Sequence, residues 1–306
     1  MCPCLCDVGY VWLVLTSTYS EAGLAMAIEA FLLVLGAALV HATWNALVKA
    51  DSDRLALIKL MSKTQICVSF CLTPFVSVPT PDCWPFLLAS SALNTGYMLM
   101  LNRAYQCGDL SLVYPFARGV APFVVAVVSI VALGEMLTRA NEIAVALIGL
   151  GIISLVLSER PTRRTHLRAL TFAVATGALI AGYTIVDGLG ARIARSPHDY
   201  MVWLSLITSI AIVACAHSLQ RGQRQPVSRR TLQAGITAGI MSYGSSWVVI
   251  WALTIAPLAL VSALRETAVI FAVVIGVVFL KERASLSRIA SIAATLAGTT
   301  VLKLGR

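Results

Sequence analysis

The chain has 306 residues, of which 58% are hydrophobic and only 12% charged, with a mean hydropathy of +0.86 and a formal net charge of +9. So few charges cannot cover the surface of a water-soluble domain of this size, which excludes a cytosolic globular enzyme, a disordered chain and a disulfide scaffold. The positive balance points to loops bordering a membrane and not to nucleic-acid binding, because the basic residues gather between the apolar runs.

Residues 1–26 read as an N-terminal extension, with Met26 as a natural start. The extension begins Met1-Cys2-Pro3-Cys4-Leu5-Cys6 and carries a short apolar patch, but its lack of a basic n-region argues against a secretory signal. Three alternating cysteines with no Cys/His pair following at zinc spacing give no expectation of a metal, and no cofactor is expected. Cys67, Cys71, Cys83, Cys107 and Cys215 are scattered through apolar segments and read as small packing residues.

A bilayer crossing needs about 20 mainly apolar residues. The uncharged runs predict ten helices, over 27–48, 55–78, 83–104, 110–134, 140–158, 168–190, 199–220, 231–255, 257–281 and 285–303. The run 231–264 is too long for one crossing, and Pro257 divides it because proline removes a backbone donor and favours a helix start. The runs are continuously apolar instead of alternating, which excludes a β-barrel. The expected fold class is therefore an all-α polytopic membrane protein. Connections 1–2, 3–4, 5–6, 7–8 and 9–10 hold most of the Lys and Arg, whereas the other connections and the tails hold Arg139, Arg192, Arg195, Lys303 and Arg306. The positive-inside rule then places the basic connections in the cytoplasm and both termini outside.

An offset of 147 residues lays 118–135 on 265–282 and pairs Arg118 with Arg265, Ala121 with Ala268, Val127 with Val274, Val131 with Val278, Leu133 with Leu280 and Glu135 with Glu282. Gly151 and Gly298 continue the same offset into the next helix. Coincident Val and Leu mean little in apolar segments, but coincident Arg and Glu 17 residues apart mean more. The chain divides into a first repeat at 27–158, a basic connecting loop at 159–167 and a second repeat at 168–304. Five helices per half is an odd number, so the second half enters the bilayer inverted, an architecture that recurs in secondary transporters.

The segment 104–135, AYQCGDLSLVYPFARGVAPFVVAVVSIVALGE, and the stretch His41-Ala42-Thr43-Trp44-Asn45 resemble the EamA domain of the drug/metabolite transporter superfamily. The endings Gly134-Glu135 and Lys281-Glu282 fit the same pattern. The second half departs from it, carrying Val261, Ser262 and Glu266 where the first has Tyr114, Pro115 and Gly119. The resemblance implies ten transmembrane helices as two EamA repeats and movement of small metabolites without ATP. Such proteins are often drawn with both termini in the cytoplasm, opposite to the charge count.

Ionisable groups within a span are functional candidates by default. Arg118 lies about two turns into the fourth helix and Arg265 matches it in the ninth, so both are candidate anchors for the carboxylate or phosphonate of an anionic or zwitterionic substrate. Otherwise each snorkels to an interface or pairs with Glu266, Asp109 or a backbone carbonyl. Glu266 and Arg265 are adjacent and project from different sides of their helix. Asp187 closes the uncharged run of the sixth helix, either as a proton-exchanging carboxylate or as a helix-end charge facing water. His41, Trp44 and Asn45 share one polar face of the first helix, which either meets substrate or holds packing. Tyr97, Tyr114, Tyr183, Tyr243 and Trp247 are candidate lining aromatics, with Tyr243, Trp247 and Trp251 in one stripe that also suits packing. Gly36, Gly177, Gly182, Gly235 and Gly239 permit close helix approach.

These readings point to a secondary transporter of a small metabolite (amino-acid-like, an organic anion or a zwitterion) working by alternating access in the inner, cytoplasmic membrane. Its partners are the small-molecule substrate, the lipid bilayer and protons as a candidate coupling ion, and it acts as a monomer or homodimer. The rivals are an intramembrane enzyme, for which no clustered nucleophiles, paired aspartates or metal-ligand motif is seen, and a structural membrane protein, against which the two embedded arginines argue.

Overall fold

The computed structural model describes residues 26–51, 53–107, 110–157, 163–219, 228–278 and 286–304, with side chains described in these ranges except at 49, 54, 101–116, 155–157, 163–170, 219, 276–278 and 286–289. The N-terminal cysteines, Asp109, Lys281, Glu282 and the side chains of Tyr114 and Pro115 lie outside the described residues.

In chain order the helices are α1 (Ile28–Ala50), α2 (Arg54–Leu72), α3 (Trp84–Cys107), α4 (Leu110–Val131), α5 (Arg139–Leu157), α6 (Arg163–Ile193), α7 (Pro197–Leu219), α8 (Arg229–Ile255), α9 (Leu258–Glu266), α10 (Ala268–Val278) and α11 (Leu286–Leu304). No strand occurs among the described residues. Six stretches there are long and apolar enough to cross a bilayer: Ile28–Val48, Leu55–Phe75, Thr171–Ile193, Pro197–Ser218, Arg229–Ile255 and Leu258–Ile275. Ala117–Val131 and Ala290–Leu304 are apolar but shorter.

Most predicted helices appear where the apolar runs lie, and local chemistry sets their ends. The Asp53 carboxylate accepts the Ala56 N–H at 3.0 Å to open α2, and the Ser228 hydroxyl accepts that of Thr231 at 3.0 Å to open α8. Three predictions need correction. α2 stops at Leu72, short of 78, because Thr73-Pro74-Phe75 tightens into a 3-10 turn ahead of the proline-rich Pro79–Pro81. α6 begins at Arg163, inside the stretch read as a connecting loop. The single helix predicted over 257–281 is broken at Thr267. Its hydroxyl donates to the Leu264 carbonyl at 2.6 Å and its N–H to the same oxygen at 3.2 Å, so α9 ends and α10 starts afresh.

Pro257 starts α9, as predicted. α4 ends just before Gly134, whose φ of +67° is the left-handed conformation glycine adopts without strain. That turn sends Glu135 back into the molecule, where it is 2% exposed.

Helices from the two halves interleave: α1 packs on α8 and on α9–α10, α3 and α4 pack on α6, α2 lies between α7 and α8, and α5 packs on α11. At the last contact a Cβ on Gly151 would meet Thr295 Oγ1 at 2.7 Å, and one on Gly298 would meet Ile148 Cγ1 at 2.8 Å. Residue 148 thus faces 298 while 151 faces 295, so α5 and α11 run antiparallel. α2 and α7 also run antiparallel, with Ser209 donating to Gln65 Oε1 at 2.9 Å and Trp203 Nε1 to the Ser77 carbonyl at 3.1 Å. Leu32, Leu33, Phe70, Phe75, Leu150 and Val131 lie exposed on the outside, a surface suited to lipid.

Candidate functional site

α1, α4, α6 and α9 bring a group of polar side chains to the middle of the bundle. The guanidinium of Arg118, on α4, donates through Nη1 to both carboxylate oxygens of Glu266 at 3.0 Å, and the two side chains are 4% and 1% exposed. Its Nη2 lies 2.5 Å from His41 Nε2, on α1. A guanidinium has no lone pair to offer, so Nε2 accepts and the imidazole carries its proton on Nδ1. Trp44 stands edge-on to the His41 ring at 4.7 Å, and Asn45 donates back to the His41 carbonyl at 2.8 Å. The polar face predicted on the first helix therefore faces inward, with His41 at its centre.

Arg265, the neighbour of Glu266, takes a different path. It is half-buried, donates to the Tyr183 hydroxyl at 3.4 Å and stands 5.7 Å from the centroid of that ring. Tyr97 packs edge-on against Tyr183 at 6.1 Å. Among the described residues no carboxylate lies within 4.0 Å of Arg265. Arg265 and His41 share the lining of a tight crevice with Ala37, Ser245, Ser246 and Val249.

The candidate residues thus divide. His41, Trp44, Asn45, Arg118, Arg265, Tyr183 and Tyr97 gather around the centre. Arg118 is not the open cation that equal treatment of the two arginines implies, because Glu266 neutralises it and satisfies its fork. Asp187 does not face water at a helix end. It is 5% exposed and accepts from the Tyr200 hydroxyl at 3.3 Å. Tyr243 and Trp247 pack edge-on at 5.7 Å, and Trp247 donates to His198 Nδ1 at 2.5 Å at the start of α7, away from Arg118.

A second ionic centre escaped the sequence reading. Glu135 accepts the Leu258 N–H through both oxygens, at 3.2 and 3.0 Å, and receives both terminal nitrogens of Arg192 at 3.3 Å. Arg192 also donates to the carbonyls of Leu253 at 2.9 Å and Ala256 at 3.0 Å. The repeat had singled out Glu135, but Arg192 looked like an ordinary loop charge.

No curated protein matches the chain in sequence. Twenty-nine solved chains match in structure. One crystal structure overlays with a TM-score of 0.74 at 19% identity, covering 91% of this chain and 99% of its own, a likeness of fold. Residues 167–304 match the model of the EamA-like transporter family. That segment, a little under half of the chain, carries Asp187, Arg192, Arg265 and Glu266, and over it the chain is similar to the EamA-like transporter family.

Proposed function

We propose that this membrane protein is a secondary transporter that moves a small organic anion or zwitterion across the cytoplasmic membrane by alternating access. The reading takes the chain as ten spans in two inverted five-helix repeats. The antiparallel pairings of α5 with α11 and of α2 with α7 support it, because equivalent helices of two inverted halves meet head to tail around an in-plane axis.

One observation carries the substrate class. Arg265 lines the central crevice with no carboxylate in contact among the described residues, beside an Arg118–Glu266 pair that is already neutral. A partly open cation in a crevice enclosed by apolar helices favours an anionic partner, and a guanidinium offers a carboxylate or phosphonate two parallel donors. His41, Ser245 and Ser246 supply neutral hydrogen-bonding groups along the same crevice.

The test is flux of radiolabelled amino acids, organic acids, phosphonates and nucleosides into sealed proteoliposomes. Uptake of an anion or zwitterion by the full chain, and at least tenfold weaker apparent affinity in Arg265→Gln, is the expected result. Transport of neutral or cationic solutes unaffected by that substitution refutes the assignment. Proton coupling through His41 or Asp187 is tested in the same vesicles, where an imposed pH gradient drives accumulation if either group carries the coupling ion.

A further inference from the structure

The helix that carries Arg265 and Glu266 is short and enclosed. α9 has nine residues, about 13 Å at the usual rise. Leu258 to Leu264 and Glu266 are all buried, and only Arg265 is partly open. Both ends of α9 are held by groups from elsewhere. Its first N–H, on Leu258, is taken by Glu135, which follows α4 and belongs to the first half of the chain. Its last residue grips Arg118 on α4. Between α8 and α9, Pro257 offers no N–H, and the open carbonyls of Leu253 and Ala256 are met by Arg192 from α6. Glu135 and Arg192 therefore clamp the break between α8 and α9 from both sides, at the end of the bundle where α2–α3, α4–α5, α6–α7 and α8–α9 connect.

From this arrangement we infer, resting on the alternating-access reading, that the Glu135–Arg192 clamp is a latch closing that end of the protein, and that α9 is the rod linking the latch to the central site. Buried on nearly every side, α9 moves as one piece. Releasing its N-terminus from Glu135 shifts Arg265 and Glu266 along with it. Glu135 is thus a positioning residue: it touches no solute, and it sets the depth at which the two charged residues stand.

The protein carries its own reporter of the latch. Cys83 is 1% exposed and lines a second crevice at the same end, with Val78, Thr80, Ala194, Arg195, Asp199 and Tyr200. Thr231, at the start of α8, is 7% exposed and stands at the opposite end of the bundle. The experiment uses the full chain in liposomes, with the other seven cysteines changed to serine, and measures alkylation of Cys83 by a membrane-impermeant maleimide. A companion variant lacks Cys83 and carries Thr231→Cys. Glu135→Gln and Arg192→Gln are each expected to raise the Cys83 rate about tenfold without raising the Thr231→Cys rate, and Glu135→Asp to return the Cys83 rate toward the parent value. An unchanged Cys83 rate overturns the inference. So does a rise at both reporters, the sign of a loosened fold instead of an opening at one end. Labelling needs no substrate, so its outcome is separate from the flux assay: flux without an opening confined to the Cys83 end rejects the latch alone, and that opening without flux of any tested solute rejects the transport reading alone.

Discussion

A buried guanidinium that already donates to both oxygens of a buried carboxylate has little charge left to offer a solute. That is the position of Arg118, and it shapes what substitutions there will do. Removing Glu266 alone strands a cation away from water, so Glu266→Gln should destabilise the protein by about 3–5 kcal/mol, read as loss of thermal stability in detergent. Replacing both partners with apolar residues, Arg118→Met with Glu266→Met, should recover most of that loss while leaving transport absent. Recovery of flux in the double variant would show that the pair is scaffold only. Arg265 is expected to behave differently, because Arg265→Gln removes an open charge and should leave stability near that of the parent. Arg265→Lys keeps the charge and loses the planar fork, so it should restore only part of the affinity. The sequence placed both arginines at matching offsets and gave no means of ranking them, since the difference comes from Glu266 meeting Arg118 across 148 positions of chain.

At the scale of elements, two glycines near the same helices make opposite predictions. A Cβ on Gly239 would stand 2.7 Å from Thr64 Cβ and 2.9 Å from the Met61 carbonyl, so Gly239→Ala must push α2 and α8 apart. On Gly36 a Cβ would meet nothing within 4 Å, and Gly36→Ala should be neutral or slightly stabilising. A melting comparison of the two variants checks the contrast. Gly134→Ala is a third case: space is open there, but the left-handed backbone should lower stability by about 1–2 kcal/mol and disturb the turn that returns Glu135 to Leu258. Sequence was a good guide to helix positions, because apolar length and proline dictate them. It was a poor guide to the break at Thr267, since threonine is common within helices and only its hydroxyl bond to Leu264 marks the stop. It also misjudged Arg192, because a basic residue near a span end is usually solvated, and only the open carbonyls across α8 draw this one inward.

For the whole molecule, the offset that pairs Arg118 with Arg265 and Gly151 with Gly298 is the basis of the proposed duplication, and the second pair lies in one interface, α5 against α11. Burying Arg192 in the clamp takes it out of the loop charge, which sharpens the contrast between the two ends of the bundle. A cysteine introduced at Ser196, between α6 and α7, should therefore be labelled from outside intact cells, and one at Ser228, ahead of α8, only after the cells are opened. The reverse pattern would show that the charge count misassigns the orientation and that both termini are cytoplasmic. The enclosure of α9 also bears on how the protein is made. A rod of about 13 Å covers less than half of a hydrocarbon layer about 30 Å thick, so the crossing over Leu258–Ile275 is completed only with α10, and adjacent opposite charges stand at the break between the two. Those charges are costly in lipid until Arg118 on α4 and Glu135 just after it, both made well over a hundred residues earlier, are in place to meet this helix at its two ends. The assembly order of the second half is thereby written into the first.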